Sequence, residues 1–248
     1  MFSDEKRCIY CNNQLGEVIC QIRFPEILSI GAKMPVDFQE EIRHVFPQFS
    51  VTQEQGDKKE SAVNYRFASA DGIWQLNLTS RFIALTCKKY TSWETFAKRL
   101  DAPLSAFIRM YKPAYFERIG LRYINFISKS SLDLSDTPFR ELFQSSYLGL
   151  MADDTMNETA FSCCSCDFDT VIRNGCHAKI HAGPGRVRRN GIDDGEVKFI
   201  FDLDLYMVGN IPVNHAAAVL ETIHGQAFPI FRGAITETLH EALDPMPI

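Results

Sequence analysis

Cysteines at paired spacing are the first chemistry this chain offers. Cys8-Ile-Tyr-Cys11 and Cys163-Cys-Ser-Cys166 each place two thiols three residues apart, the spacing with which a zinc knuckle holds a tetrahedral ion. Cys176, His177 and His181 could complete the set. The second pair reads as strand interior, however, where residues three apart point to opposite faces. The expectation is no bound metal, no cofactor and reduced thiols throughout the eight cysteines, with Cys20 and Cys87 packing as small hydrophobes in apolar strands.

Arginine is the second chemistry. In Arg118-Ile-Gly-Leu-Arg-Tyr-Ile-Asn125, Arg118 and Arg122 share one strand face with Gly120 between them, leaving room for a backbone or ligand to approach. With Arg23 they could receive phosphate or carboxylate in bidentate fashion. The competing reading is an internal ion-pair network with Asp202 and Asp204, also two residues apart on a strand, because an uncompensated charge on a buried face costs about 3–5 kcal/mol. Gly183-Pro-Gly-Arg-Val-Arg-Arg-Asn-Gly191 is the one concentrated basic run, expected in a loop, where Arg186, Arg188 and Arg189 could touch phosphates. It lacks the P-loop pattern and opens no helix, and Asp193-Asp-Gly-Glu196 nearly balances it.

No catalytic group stands out. The six histidines form no helical metal signature, and His224 falls on an apolar stripe where a satisfied core histidine is the commoner outcome. Neither a nucleophile elbow nor a dinucleotide fingerprint occurs, and the Asp202 and Asp204 pair is weak evidence for a divalent cation.

The elements that would position these residues follow from periodicity. Glu17–Phe24 alternates apolar and polar as a half-buried strand, and Pro35–Phe46 has helical spacing. Four more strands follow at 48–55, 62–70, 73–79 and 82–89, with turns at Gly56-Asp57 and Asp71-Gly72. Ser92 caps a long amphipathic helix to Tyr111, with a kink or break expected at Pro103. The order then recurs: a strand at 115–127, a helix at 138–147, strands at 159–172, 177–182 and 196–207, and a long helix at 214–243 interrupted at Pro229. This predicts an α+β fold built as a duplicated β-α-β(3-4)-α unit, residues 15–113 and 114–248, within a single domain 1–248. By topology it is analogous to the TATA-binding-protein saddle or a helix-grip, with a curved antiparallel sheet on long helices.

Composition narrows the class. With 248 residues, 46% hydrophobic and 23% charged, the chain can bury a substantial core, and a net charge of −5 argues against a nucleic-acid coat protein. A charged start and the lack of long apolar runs lead to the expectation of a cytoplasmic protein with no membrane partner.

Several strings together carry a family resemblance: Glu17–Pro25, Trp74–Thr79, Tyr90–Trp93 with Phe96, the Arg118–Asn125 segment, Phe201–Leu205, and the last helix with Phe231 and Ile235-Thr236. On these the chain resembles a sporadically distributed bacterial family of chains of similar length and uncharacterised function. The resemblance implies bacterial origin, one continuous domain and an accessory-genome locus of the mobile-element or defence kind, and it implies no reaction and no site residues. The expected function is a non-enzymatic interaction protein binding another protein through its curved sheet or edge strands, with a homo-oligomer open. The alternatives are a nucleic-acid or nucleotide binder using Arg23, Arg118, Arg122 and the 186–189 arginines, and a metal-dependent hydrolase acting through Asp202 and Asp204.

Overall fold

A computed structural model describes residues 1–55, 61–189 and 192–247. The architecture is mixed, a large antiparallel sheet with a few helices, as the alternating strands and amphipathic helices predicted. The chain divides into two compact units. Unit I comprises Met1–Gly16, Tyr123–Leu205 and His224–Ile248, and unit II comprises Glu17–Arg122 and Tyr206–Ile223.

Unit II begins in β2 (Leu15–Arg23), where Val18, Cys20 and Ile22 are buried and the residues between them are half-buried. It continues through short helices α1 (Leu28–Ala32) and α2 (Val36–Ile42) to β3 (Gln48–Gln55), β4 (Ser61–Ala68), β5 (Trp74–Leu78) and β6 (Phe82–Cys87). Strands are ordered β3-β4-β5-β6-β2 and then the first part of β7 (Phe116–Ile127). The turn predicted at Asp71-Gly72 is present, with Gly72 at φ +69° supplying the left-handed residue, whereas the one at Gly56-Asp57 lies outside the described residues.

The long helix α3 (Trp93–Tyr111) starts where Ser92 Oγ accepts from the Thr95 amide at 3.2 Å and stops at Lys112, φ +47°. Expected to kink or break at Pro103, it is one helix through that residue. Phe96, Leu100, Leu104 and Phe107 bury the stripe on which Pro103 itself lies, and this packing outweighs one lost backbone bond. Phe107 packs on Phe24 at 4.6 Å between ring centroids and Phe96 on Trp74 at 5.7 Å.

In unit I the strand order is β7, β10 (Ile192–Ile211), β9 (His177–Arg189) and β8 (Cys166–Val171), and β1 (Cys8–Tyr10) pairs separately with β11 (Pro245–Pro247). The strand expected from 159 is replaced up to Cys166 by irregular chain with one 3-10 turn. The helix expected over 138–147 is instead a series of 3-10 turns at Phe139–Glu141, Ser145–Tyr147 and Gly149–Ala152. These turns insert Phe139, Phe143 and Tyr147 against Phe199 and Phe201, the Phe143 and Phe199 rings stacking at 3.9 Å. The final helix breaks at Ile235-Thr236 rather than at Pro229, giving α4 (Ala216–Ala234) and α5 (Glu237–Ala242). Thr236 caps α5, and Ile235 bridges back to Phe143. Among the described residues no helix is long and apolar enough to cross a membrane.

Candidate functional site

The arginines nominated by spacing occupy different settings. In unit II, Arg118 is half-buried with its guanidinium over the Tyr206 ring at 4.3 Å, and Arg122 is exposed. The space above Gly120 is already filled, since a methyl there would collide with Arg118 Nη1. A side chain at position 120 would have to displace the flexible end of Arg118. Arg23 is exposed and donates from Nε to Gln21 Oε1 at 3.0 Å.

β4 and β5, separated from β7 by β6 and β2, carry an amide ladder: Gln75 Nε2 donates to Asn77 Oδ1 at 2.8 Å, and Asn77 Nδ2 to Asn64 Oδ1 at 2.9 Å. The side chains of this ladder alternate with Trp74, Leu76 and Leu78, which are buried, so it occupies the sheet face turned away from the core. Asp202 and Asp204 are half-buried in unit I, alternating with buried Phe201, Leu203 and Leu205. Arg118, Arg122, Asp202 and Asp204 are all engaged by neighbours.

The basic run is not a loop. Gly183 to Arg189 continue β9 as strand beside β10, and residues 190–191 of the run lie outside the described residues. Arg186 and Arg188 are exposed, and Arg188 Nε lies 3.9 Å from Asp193 Oδ2. The Arg189 side chain lies outside the described residues.

All eight cysteines are free thiols. Cys163 precedes β8 and is exposed, so the strand interior expected for it is irregular chain. Cys164 and Cys166 are the closer pair, both sulfurs bordering Gly149, and burial followed by the charges of Cys164 and Asp167 pushes the Cys166 thiol up. Among the described residues no three histidine, cysteine or acidic side chains converge to hold a metal. His224 is half-buried and meets the Tyr123 hydroxyl at 2.9 Å, and His240 meets that of Tyr10 at 2.9 Å.

A polar cluster in unit I has no counterpart in the sequence reading. Glu196 accepts from Ser128 Oγ at 2.7 Å and from the Ser130 amide at 3.0 Å, and it pairs with Lys198 at 3.2 Å. Lys198, 12% exposed, also pairs with Asp194. Gln14 Oε1 accepts from the Ser128 amide at 3.2 Å and from Ser131 Oγ at 3.3 Å. Of these, Gln14, Ser128, Asp194 and Lys198 border a cleft of about 510 Å³ also lined by Asn13, Leu15, Phe126 and Val187.

The electrostatics of the cluster decide its role. Burial opposes the Glu196 charge, but hydrogen bonds from Ser130, Ser128 and Lys198 win and hold its carboxyl below the usual range. Lys198 is likewise held above the usual lysine range by Asp194 and Glu196 against its burial. These bonds tie the residues that follow β7, Ser128 and Ser130, to Asp194, Glu196 and Lys198 of β10. Its only sequence trace was the Asp193–Glu196 run, whose partners lie more than 60 residues away at Ser128 and Ser130.

The edges of the sheet differ in how they are guarded. β3 ends the strand order of unit II and pairs with β4 in an unbroken register from Gln48↔Ala68 to Gln55↔Ser61, with no bulge. Gln48 to Gln53 are all exposed, and none is charged or proline. Phe49 and Val51 stand opposite Phe67 and Tyr65, on the core side, yet remain 40% and 44% exposed because no further strand covers them. β8, the last strand in the unit I order, carries exposed Asp167 and Asp169. Charges of this kind discourage edge pairing, and in β3 the one charge is Glu54, next to the end of the strand and beyond the uncharged Gln48–Gln53.

A scan against protein-family models and a search of the curated proteins each match nothing for this chain.

Proposed function

We propose that this protein is a non-enzymatic interaction module that binds another protein by strand addition at β3. The carrying observation is the six-residue stretch Gln48–Gln53, uncharged, free of proline and bulge, with Phe49 and Val51 carrying the core face to the exposed edge. An added strand would satisfy the outward row of backbone groups and cover both apolar side chains. The family resemblance supports an accessory bacterial locus, and the recurrent element order supports descent from a duplicated β-α-β-α unit of saddle-like topology.

The test is affinity purification from the native host followed by amide hydrogen exchange on the complex. A partner should slow exchange at Gln48–Gln53, and Val51→Lys, which puts a charge on the core side of the edge, should release it. Protection elsewhere, or retention by Val51→Lys, would overturn the assignment to β3.

A second reading keeps the arginine face of unit II. Arg23 and Arg122, both exposed, and half-buried Arg118 offer cations of the kind that contact phosphates. It predicts oligonucleotide binding that falls steeply with salt and weakens on Arg122→Ala.

A further inference from the structure

Resting on strand addition at β3, we infer that the strand added there is β3 of a second copy, giving a two-fold dimer whose sheet runs on through the junction. The argument is one of register. In an antiparallel pair related by a two-fold axis through Ser50, residue 49 faces residue 51 of the other copy, and residue 48 faces residue 52.

Because side chains alternate, that register keeps each residue's face: Phe49 and Val51, both on the core side opposite Phe67 and Tyr65, meet each other twice across the axis. An aromatic side chain opposite a β-branched one is among the favourable cross-strand pairs. The outward positions become Ser50 against Ser50 and Gln48 against Thr52, all uncharged. The chain carries a net charge of −5, so a self-contact has to be free of like charges, and Gln48–Gln53 is. β8 is the contrasting case. Its Asp167 and Asp169 would meet across a two-fold axis at Phe168, which disfavours self-pairing there. Closed two-fold symmetry uses each β3 edge once, so association ends at two copies.

Sedimentation equilibrium of the purified chain under reducing conditions tests this. The wild type should reach twice the 28.2 kDa chain mass as concentration rises. Ser50→Glu should stay a monomer, because glutamate then opposes glutamate across the axis. Within its own sheet position 50 faces Arg66, so the fold is not penalised by like charge and the thermal melt should be retained. Ser50→Lys, whose lysine faces Arg66 and whose thermal melt is therefore checked first, should also be a monomer, and an equimolar mixture of the two folded variants should recover the dimer.

A wild type that stays monomeric, a Ser50→Glu chain that still dimerises, or a mixture that fails to recover would each overturn the inference. If the wild type is monomeric while a partner of another sequence is still captured and released by Val51→Lys, self-pairing falls and strand addition stands. If the dimer ignores Ser50 and no partner depends on Val51, both fall together.

Discussion

Removing Arg232 should cost this protein less than removing the two carboxylates that hold it. Arg232 is 8% exposed in unit I, with Nε on Glu5 Oε2 at 2.7 Å and Nη2 on Glu237 Oε2 at 2.5 Å, whereas Glu5 and Glu237 are 50% and 65% exposed. In Arg232→Met the carboxylates left behind are already hydrated, and a long apolar side chain refills the site. Two charge-assisted hydrogen bonds are lost, but so is the desolvation cost of the guanidinium, leaving a net loss of about 1–2 kcal/mol. In the double variant Glu5→Ala with Glu237→Ala the guanidinium stays in its site with no compensating charge, and the expected loss is about 3–5 kcal/mol. Urea denaturation followed by circular dichroism, with the slope unchanged between variants, measures both. Equal losses, or a larger loss for Arg232→Met, would refute the reasoning by showing that the pair is worth more than the burial it offsets.

Three further outcomes follow from the same geometry. Gly120→Ala should push Arg118 off Tyr206 and cost roughly 0.5–1 kcal/mol, and the same change in an Arg118→Ala background should cost nothing, so additivity in the double-mutant cycle would rule out the contact. Glu196 and Asp194 are both held below their ordinary values, so their contribution is complete above the unfolded values of 4.5 and 3.8 and is lost as pH falls through the lower folded ones. The stability gap between wild type and Glu196→Gln should therefore narrow on acidification below pH 4.5, and a gap constant down to pH 3 would count against the bonds that Glu196 makes. Exposed Cys11 and Cys163 should react first with a thiol reagent, while Cys20, buried and pushed up to about 12, and Cys176, also buried, should react only on unfolding.

How much was legible in the sequence can be read from individual elements. β2 and α3 were, because one face of each is buried and their apolar residues recur at periods of two and 3.6. The cap at Ser92 and the left-handed Gly72 were legible for the same local reason, each being decided by a few neighbouring residues. The 138–147 segment was not. Phe139, Phe143 and Tyr147 stand at helical spacing, but the rings of Phe199 and Phe201, some 60 residues later, draw them in as 3-10 turns. Likewise the basic run at 183–189 has the glycines of a loop, yet Gly185 lies against Ile200 of β10, where a methyl would collide with the Ile200 side chain, so its glycine serves close strand packing.

For the candidate sites the division is sharper. Sequence alone determined residue chemistry and face: that Arg118, Gly120 and Arg122 project from one side of a strand, and that Gln48–Gln53 is strand-forming and uncharged. Only tertiary structure decided that Arg118 covers Gly120, that Ser128 reaches Glu196, and that β3 stands at one end of the strand order of the described residues. Periodicity reports which face of a strand is buried. It carries no information about strand order, and strand order is what leaves an edge open.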